Sequence, residues 1–214
     1  MTTIIGLCGS LRRGSFNRML LRAAVEAAPQ GTSIEPESIR EIPLYDGDVE
    51  EEQGLPPAIK RLKDRIAEAD GLLLVTPEYN NSMPGVLKNA IDWLSRPADD
   101  IRRVFGGRPV ALMGATTGPG GTALSQAAWL PVVRTLGMRP WFEGGVLISG
   151  AFTVFDTEGR IADAAMRQRI RRFIEGFAAF AAIQQRQVER RAPAALSPQV
   201  NPQLPDCVAS GLHE

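Results

Sequence analysis

The chain has one histidine, His213, and two cysteines, Cys8 and Cys207, among its 214 residues. A lone histidine near the C-terminus excludes a histidine-based catalytic triad and provides no His/Cys metal cluster. Two distant cysteines make no disulfide framework, so a reducing cytoplasm is the expected setting. Neither sign of charge is in excess, with 24 basic residues against 24 acidic ones. That balance argues against a nucleic-acid binder, which carries a basic excess or stripe. No apolar run approaches the roughly 18–20 residues of a membrane-spanning helix, so no membrane is expected as a partner. Met1-Thr2-Thr3-Ile4-Ile5 lacks a basic region ahead of its apolar residues, and no secretory signal is expected. Hydrophobic residues make up 44% of the chain, enough for a generous core at this length.

Short apolar runs alternate with stretches of helical period. Thr2–Cys8, Gly71–Thr76 and Pro109–Ala115 read as buried strands, Ser33–Ile39 as a weaker one and Trp141–Ile148 as a fifth, interrupted by Gly144-Gly145. Helices are expected over Ser15–Ala28, from Pro56-Pro57 to Ala69, over Pro84–Ser95 and Gly121–Leu136, and from Ala162 to about Gln187. Five strands alternating with five helices imply an α/β fold, a doubly wound parallel sheet with helices on both faces. At this length a five-stranded flavodoxin-like order, 2-1-3-4-5, fits better than a six-stranded Rossmann sheet. Residues 1–187 form the expected domain. Residues 188–214, with Pro193, Pro198, Pro202 and Pro205, form a proline-rich tail or an arm lying on a neighbouring subunit. The basic run Arg167–Arg172 reads as the solvated face of the last helix, with Glu158, Asp163 and Glu175 to offset it.

The turn Gly9-Ser-Leu-Arg-Arg-Gly-Ser-Phe-Asn17 leaves the first strand at the edge where doubly wound sheets bind ligands. Gly9 and Gly14 permit close approach of the backbone. Ser10, Ser15 and Asn17 offer hydrogen bonds, Arg12 or Arg13 a full charge, and the following helix its unpaired N–H groups and positive dipole end. This is a loop for a phosphate. It is not a P-loop, because Ser15-Phe16 stand where lysine and a hydroxyl residue should follow the second glycine. It is not a tyrosine-phosphatase loop of Cys-x5-Arg form either, since six residues after Cys8 stands Gly14. Gly118-Pro-Gly120-Gly-Thr-Ala123 matches a Rossmann fingerprint weakly, as it follows the fourth strand and no acidic residue sits at the required distance.

Two further loops emerge at the same edge. Thr76-Pro-Glu-Tyr-Asn-Asn-Ser-Met-Pro-Gly85 is stiffened by Pro77 and Pro84. Tyr79 and Asn80 offer a flat face and amide donors, as an aromatic heterocycle requires. Gly114-Ala-Thr-Thr-Gly-Pro-Gly-Gly121 lets backbone N–H groups approach a planar ligand.

Gly9-Ser-Leu-Arg-x-x-Ser-x-Asn17, together with Pro77-Glu-Tyr-Asn80-x-Ser82-x-Pro-Gly85-x-Leu-Lys-Asn-Ala-Ile-Asp-Trp93, resembles the NADPH-dependent FMN reductase family, which includes quinone and chromate reductases and related azoreductases. The resemblance covers about residues 1–180. It implies that Ser10, Arg12, Ser15 and Asn17 hold the FMN phosphate with Phe16 beside it. Pro77, Glu78, Tyr79, Asn80 and Ser82 would line the isoalloxazine ring, and Thr117, Gly118, Gly120 and Gly121 the third loop. The third loop is shorter and stiffer here than common versions. FMN is the implied cofactor and NADPH or NADH the electron donor. Reduction is expected to run in ping-pong order to a quinone, azo compound, chromate or free flavin. The cofactor would carry the chemistry, so no catalytic side chain is required. A homodimer or homotetramer, paired near Val86–Trp93, is also implied. A non-enzymatic flavodoxin-type electron carrier is the alternative, although such carriers are strongly acidic and this chain is neutral.

Overall fold

The computed structural model describes residues 1–191, with side chains through residue 184. In chain order the elements are β1 (Thr2–Cys8), α1 (Phe16–Glu26), β2 (Thr32–Glu37), α2 (Gly47–Gln53), α3 (Pro57–Glu68), β3 (Gly71–Val75) and α4 (Gly85–Leu94). They continue with α5 (Ile101–Val104), β4 (Pro109–Ala115), α6 (Ala123–Thr135), β5 (Arg139–Pro140), β6 (Val146–Ile148), α7 (Ala151–Val154) and α8 (Ala164–Arg191). The strands are parallel in the order β2-β1-β3-β4-β5, as the alternating pattern predicts.

Continuous apolar runs are required because the sheet is covered on both faces. Successive side chains point to opposite sides. Ile4, Leu73, Val75, Ala111 and Met113 face one core, with Leu20 and Leu21 of α1 and Phe173 and Phe177 of α8. Ile5, Leu7, Leu72, Leu74 and Val110 face the other, with Ile59 and Leu62 of α3, Trp93 of α4 and Trp129 of α6. β1, β3 and β4 are neighbours, so their C-terminal ends lie side by side.

The expected fifth strand, Trp141–Ile148, is corrected. The chain pairs with the start of β4 through β5, leaves the sheet, and returns as β6 beside the end of β4. The detour begins after Trp141. Its ring is buried edge-on against Phe173 at 5.0 Å and 6.1 Å from Phe177, while its backbone N–H still donates to the Val110 carbonyl at 2.9 Å. A Cβ on Gly144 would come within 2.9 Å of that ring.

Three short helices were not legible as a period in the sequence: α5 and α7 are four residues long, and α2 buries none of its seven. Within the Arg167–Arg172 run only Ile170 is buried, and Arg169 donates to the Gly145 carbonyl at 2.8 Å. α8 continues to Arg191. The rest of the proline-rich tail, with Cys207 and His213, lies outside the described residues. No described helix is long and apolar enough to cross a membrane.

Candidate functional site

The first loop is closed onto its neighbours by small residues and by Asn17. A Cβ on Gly9 would meet Pro77 and Pro84 at 2.9 Å, so glycine is what lets the first and second loops touch. Ser15 caps α1, its Oγ accepting from the Arg18 N–H at 3.3 Å, and the first turn of α1 carries no acidic residue. Ser10 and Ser15 are buried. Arg12 and Arg13 are exposed, with no partner among the described residues. Phe16 stacks on Phe155 at 5.7 Å. Asn17 is buried: its Nδ2 donates to the Ala115 carbonyl at 2.8 Å and its Oδ1 accepts from the Ala115 N–H at 3.0 Å. The side chain expected to face a phosphate thus also bolts α1 to the end of β4. Burial pushes the Cys8 thiol above its usual range, which makes it a poor nucleophile and agrees with the rejected phosphatase reading.

The second loop is a miniature hairpin. Tyr79 and Ser82 exchange backbone hydrogen bonds at 3.1 and 3.0 Å around Asn80 and Asn81, both left-handed with φ of 50° and 60°. Two-residue hairpin turns of this kind favour asparagine and glycine at both central positions. The half-exposed Tyr79 ring points back to the first loop, its O–H donating to Ser10 Oγ at 3.4 Å. Pro77 is buried. The Glu78 carboxylate leaves the loop altogether and accepts from the Leu124 and Ser125 N–H groups at 2.9 and 3.1 Å, capping α6 from outside. Beneath it Thr76 is fully buried. Its Oγ1 receives the Trp129 indole N–H at 3.1 Å and lies 2.8 Å from the Ser125 hydroxyl.

In the third loop Thr117 and Gly120 are exposed, while Gly118 N–H is hydrogen-bonded to Thr116 Oγ1 at 3.4 Å. Gly121 is left-handed with φ of 62°, and a Cβ there would also press on Leu147 at 3.1 Å. Gly114, just upstream, has no room for a Cβ between the Thr76 carbonyl and Thr122.

The fold therefore brings all fourteen expected residues, Ser10 through Gly121, to three adjoining loops at one sheet edge. Their side chains do different work. Ser10, Arg12, Ser15 and Tyr79 present donors, charge and a flat face at the loops. Asn17 and Glu78 direct theirs into the scaffold. Sequence reasoning missed Thr76, Ser125 and Trp129, whose long-range hydrogen bonds leave no local pattern. It also missed Arg40, whose guanidinium donates to the Leu11 carbonyl and steadies the first loop from beyond β2.

Residues 2–153 match the family model described as NADPH-dependent FMN reductase. Among similar proteins is an NAD(P)H-dependent FMN reductase of Pseudomonas aeruginosa, 44% identical over 172 residues, or 80% of this chain and 91% of that protein. A 2-hydroxy-1,4-benzoquinone reductase from a Burkholderia species is 40% identical over 172 residues, covering 80% of this chain and 92% of that one. Among solved structures, a flavoenzyme NAD(P)H:(acceptor) oxidoreductase from Paracoccus denitrificans superposes with a TM-score of 0.77 at 29% identity, covering 86% of this chain and 99% of that one. The matched span holds all three loops, and the chain belongs to the NADPH-dependent FMN reductase family.

Proposed function

We propose that the protein is an FMN-dependent NAD(P)H oxidoreductase whose acceptors are small molecules, quinones first among them. The observation that carries this reading is the meeting of the first two loops, where the Tyr79 O–H reaches Ser10 Oγ at 3.4 Å. A phosphate-suited turn and an aromatic shelf thereby adjoin each other.

The residues present fit FMN. A helix start with no acidic residue in its first turn, two exposed arginines and two buried serines suit a dianion. The exposed face of Tyr79 suits a planar ring. Ser10, Arg12 and Ser15 would hold the phosphate together with the backbone N–H of Asn17, whose side chain is engaged at Ala115, with Phe16 packed behind them. Pro77, Tyr79, Asn80 and Ser82 would line the ring. Thr117, Gly118, Gly120 and Gly121 would bring backbone N–H groups to its edge, and Glu78 would keep the second and third loops in register. When bound, the flavin supplies the redox chemistry, taking two electrons from NAD(P)H and yielding them to an acceptor that follows on the same open face, in ping-pong order. The chain's own part is orientation and polarity. Arg12 would neutralise the phosphate, and the Asn80–Asn81 turn would set which backbone groups face the ring.

Quinones rank first as acceptors because relatives at about 40% identity are named quinone reductases. Azo compounds, chromate and free flavin are further candidates. A homodimer or homotetramer belongs to the same reading: Val86 on α4 and Leu44 and Tyr45 beside it are exposed apolar residues, and Tyr45 N–H is held by Asn89 Oδ1 of α4 at 2.8 Å. Light scattering on the purified protein measures that state directly.

The deciding experiment is an absorbance spectrum of the purified protein followed by NADPH and NADH titration under argon. The expected result is a flavin spectrum that bleaches with either donor, then steady NADPH consumption with a quinone and no partner protein. A colourless protein that cannot be reconstituted with FMN, or a flavin that stays oxidised, overturns the reading.

A further inference from the structure

The basic run Arg167–Arg172 is divided between two sides of α8. Arg169 and Arg172 border a cavity beside Trp141, whereas Arg167 and Arg171, one helical turn apart, border another. This second cavity has a volume of about 270 Å³. It lies between the second half of α1, the turn that joins Phe155 to Ile161, and the start of α8. Arg22, Glu26, Gly159 and Arg160 complete its polar side. None of its residues belongs to the three loops at the sheet edge, and Arg22 stands about 10 Å along α1 from Ser15.

Two of its arginines are fixed by groups that carry no charge. Arg22 Nη2 donates to the Glu158 and Gly159 carbonyls at 2.7 and 2.6 Å. Arg167 Nη1 donates to the Ile161 and Ala162 carbonyls at 2.7 and 2.6 Å. Gly159 lets the turn come this close, since a Cβ there would lie 2.7 Å from Met19 and 2.9 Å from Arg22 Nη2. Both guanidiniums are therefore held in place with their charge unanswered. Arg171 is exposed and has no hydrogen-bond or ion-pair partner among the described residues. Arg160 differs, because Asp156 and Glu158 hold it at 3.2 and 2.8 Å. Arg22, Arg167 and Arg171 are left to share one carboxylate on the cavity wall, the largely exposed Glu26, which lies 3.9 Å from Arg22 Nε.

That arrangement is unfavourable by itself. Like charges four residues apart on a helix repel, and Arg167 stands in the first turn of α8, where the helix dipole is also positive. An anion among the three guanidiniums relieves both effects, and their planar forks match phosphate oxygens in pairs. The volume lies below the roughly 300–1,000 Å³ of sites for drug-sized ligands, which suits a small anion better than a nucleotide. We propose that this cavity is a second anion site, taking a small phosphate-bearing ion of about the size of pyrophosphate between α1 and α8. Nothing in it depends on the reductase reading.

The test is calorimetric titration of pyrophosphate and of inorganic phosphate into protein saturated with FMN, which keeps the first loop occupied. The salt is about 0.15 M, where charges more than about 8 Å apart are screened. Pyrophosphate should bind, and more tightly than phosphate. Arg171→Ala should raise its Kd about tenfold, the scale of one charge-assisted hydrogen bond, and Arg171→Glu should abolish binding. Arg172→Ala, the next residue but on the other cavity, should leave Kd unchanged. Absence of binding, or equal weakening by Arg171→Ala and Arg172→Ala, overturns the proposal, the latter in favour of diffuse surface charge. Weakening by Arg12→Ala alone overturns it too, because the anion would then occupy the first loop.

Discussion

The first and third loops are both glycine-bearing turns that leave a parallel strand and enter a helix, yet they treat the helix start in opposite ways. A helix N-terminus carries roughly half a positive charge and unpaired N–H groups. At α1 that end is left for something outside the chain: Ser15 caps one N–H, no acid sits in the first turn, and Arg12 and Arg13 add charge of the same sign. At α6 the chain occupies the end itself. Thr122 makes no side-chain cap, its hydroxyl instead accepting from Gln126 Nε2 at 3.0 Å, and the Glu78 carboxylate from the second loop takes the N–H groups of Leu124 and Ser125. Glycine content alone therefore does not distinguish the two helix starts; the charges around them do.

The sharpest way to test the comparison is to remove the charge at the open end. Arg12→Ala should raise the dissociation constant for FMN by about 10- to 100-fold, or about 1.5–3 kcal/mol, with apo-protein unfolding unchanged. Unaltered affinity in fluorescence titration would transfer the role to Arg13 or to the backbone. Next in size is the closed end. Glu78→Ala should cost about 1–2 kcal/mol in chemical denaturation by uncapping α6 and untying two loops, with Glu78→Gln recovering part of the loss. Wild-type stability in Glu78→Ala would mean that α6 does not need its borrowed cap. Ser15→Ala should lower stability by about 1 kcal/mol and weaken FMN binding as well, so a stability effect without a binding effect would leave Ser15 a cap only.

The smallest effect serves as a control remote from both loops. A hydrogen bond from Arg103, helped by buried Lys63, holds the Asp100 carboxyl well below the usual range. Because its folded value is depressed, Asp100 contributes stability above the unfolded value of about 4, and that contribution fades as pH falls through the folded one. Asp100→Asn should flatten the acid limb of the stability curve and leave FMN affinity untouched at neutral pH. An unchanged acid limb would remove Asp100 from that account.

Much of this was legible in the sequence. The sheet order follows from alternating apolar and helical stretches, and α1 starts where Ser15 predicts, because both signals are local. The three loops were found for the same reason, each being a cluster of turn residues after a strand. What stayed hidden depends on contacts between distant residues. Nothing near Glu78 announces that its carboxylate caps a helix 46 residues later. Nothing near Asn17 announces a partner at Ala115. The last strand was legible in part: Gly144-Gly145 marks an interruption, but the separate pairing of β5 and β6 with the two ends of β4 depends on contacts that no local pattern shows.

The Asn17–Ala115 pair has a consequence for how the site can be watched. The Ala115 amide gives its proton to a side chain on α1, so that proton can exchange with solvent only when α1 lifts from the end of β4. Its exchange rate is therefore a clock for the opening of the whole loop cluster. A ligand that binds only the closed arrangement must slow that clock in proportion to its own occupancy.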